Sequence, residues 1–344
     1  MKASFREYIL EFKRPSGTSR GVLKTKDTWF IIIEEGNKIG IGECGMFRGL
    51  SIDDRMDYEE KLSWACNNIE LGLDALLEHL NEFPSIQFGL EMAFRSFESE
   101  HRFILCPSLF TSGEDSIEIN GLVWMGDKEF MKSQIKQKIK NGFRCIKMKI
   151  GAIDFSTEID LLKSVRDEFS KDDIELRVDA NGAFNYSDAI EKLKRLSEYD
   201  LHSIEQPIKS GQWQEMALLC QESPLAIALD EELIGIFSEE QKKELLDTIK
   251  PQYIILKPSL IGGFRSSDQW IEKAEKIDTG WWITSALESN VGLNAIAQYT
   301  YLKQSNIPQG LGTGGLFTNN FQSPLIVKNG TLHYNNKTNW KFNL

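Results

Sequence analysis

Six charged residues recur in phase between positions 147 and 257, in a series of short apolar runs. Lys147 and Lys149 lie in Cys-Ile-Lys-Met-Lys-Ile-Gly (145–151). Asp179 falls in 176–181, Glu205 in 202–207 and Asp230 in 225–231, and Lys257 falls in 253–258. Side chains alternate along a strand, so Lys147 and Lys149 share one face while Ile146, Met148 and Ile150 share the other. A face of lysines also serves solvated edge strands, where it discourages aggregation. The acids downstream decide its meaning. A single strand-end acid is commonly a helix cap or an ion-pair partner. Three in phase, all oxygen donors, suit a hard divalent cation such as Mg2+, with Mn2+ as a substitute. Zinc is disfavoured, because His79, His101, His202 and His333 are scattered and only His202 lies near such a run. A divalent ion can hold a substrate carboxylate while a desolvated lysine beside it removes the α-proton. Lys257 has a simpler role open to it, pairing with an acid such as Glu231, and the two roles are compatible.

These residues need elements that bring them to one rim. The charged run-ends recur at roughly 25–30 residues, the length of one βα unit. Between them Ile159, Leu162, Val165 and Phe169 mark one helical face, and Ala189, Leu193 and Leu196 another. Strands alternating with helices imply a parallel sheet, and a series this long favours an α/β fold closed as a (β/α)8-type barrel. Strand-end charges of such a barrel point into its mouth. Arg177 and Asn181 share the face of Asp179 by the same alternation, which assigns them to support of the metal site.

Upstream, Phe5–Lys13, Thr28–Glu35 and Lys38–Cys44 read as three strands, the last two joined at Gly36-Asn37. The stretch from Pro15 to Gly21 is small and polar, a loop with the option of acting as a lid. Helical patterns cover 54–81 and 85–99. The expected division is an α+β capping domain over 1–110, completed by the tail 317–344, and a barrel over 111–316 whose first strand is 116–125.

The chain of 344 residues has 40 Lys and Arg against 51 Asp and Glu, a net charge of −11, with no basic block. Nucleic acid and anionic membrane are therefore unsuited partners. Five scattered cysteines without a C-x-x-C pair point to reduced thiols, and no apolar run has the length of a signal core or a membrane span. The expectation is a cytoplasmic enzyme acting on a small-molecule carboxylate; oligomeric state is not readable from this pattern.

With these residues in place, the chain resembles the muconate-lactonizing-enzyme subgroup of the enolase superfamily. Lys147-x-Lys149, Asp179-x-Asn181, Glu205, Asp230-Glu231 and Lys257 with Gly262-Gly263 match that pattern in strand order. Within the subgroup it is similar to the o-succinylbenzoate synthase family in four stretches. These are Thr18-Ser-Arg-Gly21, 176–183, Ser285-Ala-Leu-Glu-Ser-Asn-Val-Gly292 and Gly310-Leu-Gly-Thr-Gly-Gly-Leu316.

The resemblance implies Mg2+ on Asp179, Glu205 and Asp230, and a lyase reaction: syn dehydration of a hydroxycyclohexadiene carboxylate through an enediolate. Lys149 would be the base and then the acid. Lys257 would stabilise charge from across the substrate, and Lys147 would orient the carboxylate. Glu231, Ser285, Gly312, Thr313, Gly314 and Arg20 would contact substrate or support those that do. The alternative on the same machinery is an N-acylamino acid racemase or dipeptide epimerase. Dipeptide racemases tend to carry Asp-x-Asp where this chain has Gly312-Thr313-Gly314, which argues against an amino-group substrate. Backbone N–H groups of Gly310–Gly315 could also receive phosphate; with no Lys or Arg in the stretch, a substrate carboxylate suits it as well.

Overall fold

The computed structural model describes residues 1–18 and 21–344. Three antiparallel strands open it: β1 (Lys2–Thr18), β2 (Gly21–Glu35) and β3 (Lys38–Cys44), in the order β1-β2-β3. The turn at Gly36-Asn37 forms as expected, with Gly36 at φ 58°, a conformation glycine adopts without steric cost. Residues 15–18, expected in a loop, instead continue β1: Ser16 pairs with Leu23 and Thr18 with Gly21, after a register shift between Glu11 and Ser16. The lid expected in this region falls partly on Ser19 and Arg20, which lie outside the described residues.

Helices α1 (Tyr58–Asn67), α2 (Leu73–His79) and α3 (Pro84–Glu98) follow. Pro84 starts α3, where its missing N–H would have had no partner. α3 lies directly on β3, so close that a Cβ on Gly42 would meet the Gly89 carbonyl oxygen at 1.8 Å. That contact explains why Gly42 carries no side chain; Gly89 carries none because its Cβ would meet Cys44 Sγ at 2.3 Å.

The barrel begins later than the sequence suggests. Ser116–Met125 divides at Ile119-Asn120 into β4 (Ser116–Glu118) and β5 (Gly121–Val123). β5 pairs into the barrel sheet, while β4 pairs antiparallel with a C-terminal hairpin. From there the alternation is regular: α4 (Lys128–Lys140), β6 (Cys145–Lys149), α5 (Phe155–Arg166), β7 (Glu175–Asp179), α6 (Tyr186–Ser197) and β8 (Ser203–Glu205). Then come α7 (Trp213–Glu222), β9 (Ile227–Leu229), α8 (Glu239–Ile249), β10 (Tyr253–Leu256), α9 (Pro258–Ile261), α10 (Gly263–Glu275), β11 (Gly280–Ile283) and α11 (Asn290–Leu302).

Strands β5 to β11 form one parallel sheet in chain order. Its two edges are joined by Gln309 and Gly310. Gln309 exchanges backbone hydrogen bonds with Glu118 and Asn120 on one side, and Gly310 does so with Ile283 and Ser285 on the other. Two residues thus stand as the eighth stave. The outward faces of the strands, with Ile146, Met148, Leu176, Val178 and Ile204, pack under the helices in one apolar core.

The hairpin β12 (Leu325–Lys328) and β13 (Thr331–Tyr334) completes the β4 sheet. The rest of the tail returns to β1 and β2: Phe317 bridges Phe12, and Phe321 and Phe342 pack edge-on against Phe30. Two buried glutamates tie the N-terminal layer to the barrel. Glu43 accepts from the N–H groups of Ser289 and Gly292 at the start of α11, each at 2.8 Å, and Glu91 accepts from Phe264 and Arg265 at the start of α10. Each carboxylate takes donors that a helix start leaves unpaired, and sits at the positive end of the helix dipole. No helix is long and apolar enough to cross a membrane among the described residues.

Asp53 caps α3 in the same manner, accepting from the Ser85 N–H at 2.9 Å and its hydroxyl at 2.7 Å. Burial pushes its carboxyl up to about 6, against the pull of the Ser85 hydrogen bonds. The folded chain therefore holds a proton there that the unfolded chain releases near 4. Stability from this group is greatest below that pH and falls as pH rises through 6, by up to about 3 kcal/mol. Urea denaturation at pH 4 to 7 should show this decline in the wild type and lose that component in Asp53→Asn. Parallel pH profiles for the two proteins would refute the assignment.

Candidate active site

Parallel pairing sets the charged residues at matched heights. Lys149 stands opposite Asp179 and Asp179 opposite Glu205, with Lys147 one step lower beside Arg177. Asp230 follows the end of β9, and Lys257 follows β10. Lys147 is 7 % exposed, Asp179 1 %, and Glu205 and Asp230 2 % each. Lys147 Nζ lies 2.9 Å from Asp179 Oδ2 and also donates to Glu205 Oε2. Lys149 Nζ donates to Asp179 Oδ2 at 3.0 Å and to Asn181 Oδ1 at 2.7 Å, and Lys257 Nζ donates to Asp230 Oδ2. β6 and β10 are four staves apart. In an eight-stave barrel that puts Lys149 and Lys257 on opposite walls of the mouth.

Burial penalises every one of these charges, so their partners decide who stays ionised. Burial would raise Asp179, but Lys147, Lys149 and Lys257 outweigh it and hold the carboxyl well below its usual range. For Lys147, burial is overcome by Asp179, Glu205 and Asp230, which keep the ammonium charged. Lys257 is held above its usual range in the same way, by Asp230, Glu205 and Glu231 against burial. Glu205 is the exception: burial and then Asp179 push it well up, and Lys147 compensates only in part. Its Oε1 is buried with no hydrogen-bond partner.

That orphaned oxygen bears on the expected metal. Among the described residues, no three acid, imidazole or thiol groups are gathered as a ready ligand set. The carboxylates are instead ranged around the amines. Their chemistry nevertheless fits a hard cation: three carboxylates on successive staves, and a Glu205 oxygen buried without a donor, which a further positive group would compensate.

The cleft above is lined by Lys147, Lys149, Asp179, Asn181, Glu231, Lys257, Ser285, Gly312 and Thr313, all expected from the sequence. Asn181 links two of these, receiving Lys149 and donating to Glu231 Oε1 at 3.0 Å. The Ser285 and Thr313 hydroxyls are 2.6 Å apart. Arg177 differs from expectation. It shares the inward face, but its guanidinium turns away from the carboxylates to Glu175, the Pro308 carbonyl and the face of Trp282, 4.4 Å from the ring centroid. Gly314 is not among the lining residues; a Cβ there would meet Asn290 Oδ1 at 2.7 Å. Arg20 lies outside the described residues.

Several lining residues went unforeseen. Asn120, Leu122 and Trp124 alternate inward from β5, and Leu122 pairs with Lys147. That period of two was legible once β5 was separated from β4. Phe47 and Leu50 arrive from the N-terminal layer, Thr284, Leu287 and Leu316 from the last staves; no local signal marks them. Glu158 on α5 does not line the cleft, but its carboxylate takes the Gly151 N–H at 2.7 Å, pinning the loop that follows Lys149.

Residues 131–338 match the family described as enolase C-terminal domain-like. The o-succinylbenzoate synthase of Desulfotalea psychrophila is 48% identical over 96% of this chain and 98% of its own length. The crystal structure of MenC from that organism superposes with a TM-score of 0.86 at 44% identity, covering 97% of this chain and 99% of that one. The L-Ala-D/L-Glu epimerase of Francisella tularensis subsp. novicida is 27% identical over 62% of this chain and 59% of its own.

Removing one member of the buried charge set should be costly in proportion to its burial. Lys147→Met leaves Asp179 and Glu205 facing one another, and is expected to lower unfolding free energy by about 3 kcal/mol in EDTA-containing buffer. Lys149→Met, at the more open end, should cost clearly less. Equal urea midpoints for the two variants would show that Lys147 does not balance the acids.

Proposed function

The chain belongs to the enolase superfamily through its enolase C-terminal domain-like barrel, and on that premise we propose that it is an o-succinylbenzoate synthase. The activity is that of a lyase in menaquinone biosynthesis, which dehydrates 2-succinyl-6-hydroxy-2,4-cyclohexadiene-1-carboxylate to o-succinylbenzoate. What carries the reading is the cleft: two amines on opposite walls above three buried carboxylates, in a chain alike over its whole length to a synthase of this kind.

Asp179, Glu205 and Asp230 would hold Mg2+, or Mn2+ in its place, which when bound supplies positive charge to the substrate carboxylate and makes the neighbouring C–H acidic. Lys149, its Nζ aimed by Asp179 and Asn181, takes the α-proton. The ammonium so formed returns that proton to the hydroxyl on the same face. The C–H and C–O bonds break, the ring double bond forms and water leaves. Lys257 keeps its proton and faces the charge from the other side, while Lys147 orients the carboxylate from below. Ser285, Thr313 and the Gly312 backbone contact the succinyl portion, with Glu231 supporting Asn181. Residues 1–110 with the tail 317–344 cap the barrel domain of 111–316, whose staves start at β5, contributing Phe47 and Leu50 to exclude water.

A second reading has one observation in its favour: amines on both faces of a carbon acid would equally serve an N-acylamino acid racemase or dipeptide epimerase. Against it stands the lining itself, which offers Gly310, Gly312, Thr313 and Leu316 where an ammonium group would need an acid.

Ultraviolet-monitored aromatisation should be rapid with Mg2+, abolished by EDTA, and about 10²–10⁴-fold slower in Lys149→Ala. No turnover by the metal-loaded wild type would overturn the synthase reading. Lys257→Ala separates the two chemistries. In deuterated water, racemisation of N-succinyl amino acids needs both amines, so robust exchange that either single substitution restricts to one enantiomer would favour the second reading.

A further inference from the structure

Gln206 follows Glu205 directly, is fully buried, and has φ of 41°, a left-handed conformation that costs a non-glycine residue about 1 kcal/mol. Something must hold it there. Its side-chain amide uses all four of its hydrogen-bonding capacities. Nε2 donates to the Ile208 carbonyl at 3.0 Å and to Glu232 Oε2 at 2.9 Å. Oε1 accepts from the backbone N–H groups of Asp230 at 3.2 Å and Glu232 at 3.3 Å. The backbone is committed as well: its N–H donates to Ala228 at 2.9 Å, and its carbonyl accepts from Gly182 at 2.7 Å.

These partners belong to the three segments that carry the acids. Gly182 closes the loop after Asp179, Gln206 itself extends from Glu205, and the Asp230 and Glu232 amides are the turn bearing the third carboxylate. The loops also interlock sterically, since a Cβ on Gly182 would meet Lys209 Cα at 2.9 Å. We infer that Gln206 is a positioning residue for the divalent-ion site: its amide fixes the turn of Asp230 relative to Glu205 and thereby sets the affinity for the ion. The inference rests on the reading of Asp179, Glu205 and Asp230 as metal ligands. Gln206 itself touches neither the substrate nor the ion.

Two features separate this role from general packing. The amide bonds the Asp230 N–H, so its loss displaces a ligand directly. Its partner Glu232 is a carboxylate, so the two side chains can be exchanged. Gln206→Glu with Glu232→Gln keeps the charge count and the bond between the side chains, with donor and acceptor reversed, and keeps an acceptor for both backbone amides; it gives up only the bond to the Ile208 carbonyl.

The test is Mn2+ binding to the substrate-free protein, followed by electron paramagnetic resonance, with urea midpoints measured alongside. Gln206→Met and Gln206→Asn, the second an amide one methylene too short, are expected to weaken Mn2+ binding about 10–100-fold. Turnover should recover toward the wild-type value at saturating Mg2+. The exchanged pair should bind Mn2+ within about threefold of wild type. Wild-type Mn2+ affinity in Gln206→Met and Gln206→Asn, with lowered urea midpoints alone, would overturn the proposal. If Gln206→Met does not fold, Gln206→Asn against the exchanged pair decides it, and equal affinities there would overturn it. Asp230→Asn distinguishes the failures. Binding lost in Asp230→Asn but kept in the Gln206 variants refutes the positioning role alone, while no site in the wild type refutes the metal reading and the proposal with it.

Discussion

Balancing buried charge at the barrel mouth is the constraint on which the rest of the structure depends. Three carboxylates and three amines lie within or just under one rim, and Asp179, Glu205, Asp230 and Lys147 are nearly sealed from water. Taking one such ion out of water costs several kcal/mol unless an opposite charge meets it. Parallel strands meet this need simply: the same inward phase on successive staves puts Lys147 against Asp179 and Glu205, and Lys257 against Asp230. The match is incomplete at Glu205, whose Oε1 finds no donor. A site with one uncompensated oxygen is poorly designed for stability alone and well suited to receiving a cation.

Holding that arrangement requires the helices around it to be fixed, and the N-terminal layer does part of that work. Glu43 and Glu91 leave one layer to cap α11 and α10 of the other. These bonds gain strength because the donors sit at the positive helix end. The same contacts bring β3 and the residues after it over the barrel, which is how Phe47 and Leu50 come to line the cleft. Capping and closure of the mouth are therefore one structural solution.

Much of this was legible because two periods are strict. Alternation along strands put Lys147 with Lys149 and Asp179 with Asn181, and the βα spacing put all of them on one rim. The rest was hidden for physical reasons. A stave of two residues, Gln309 and Gly310, has no room for a period, and Ser116–Met125 looks continuous because its two halves are both extended, though they pair with different sheets. Alternation also gives a face but not a height: Arg177 faces inward as expected, yet its long side chain reaches down to Pro308 and Trp282 rather than up to Asp179. Strand length likewise depends on a partner, which is why β1 runs past Pro15 once β2 lies beside it.

The two amines alone leave the chemistry undecided, since amines on opposite walls would serve one-base dehydration and two-base proton exchange alike. The lining around them is more selective. An α-ammonium group brought into this cleft would lose its hydration and need an acid to replace it. The acids that line it, Asp179 and Glu231, are already engaged by Lys149 and Asn181. Opposite them stand hydroxyls, glycine backbone and apolar walls from Trp124, Leu287 and Leu316, surroundings that solvate a carboxylate tail and a flat ring.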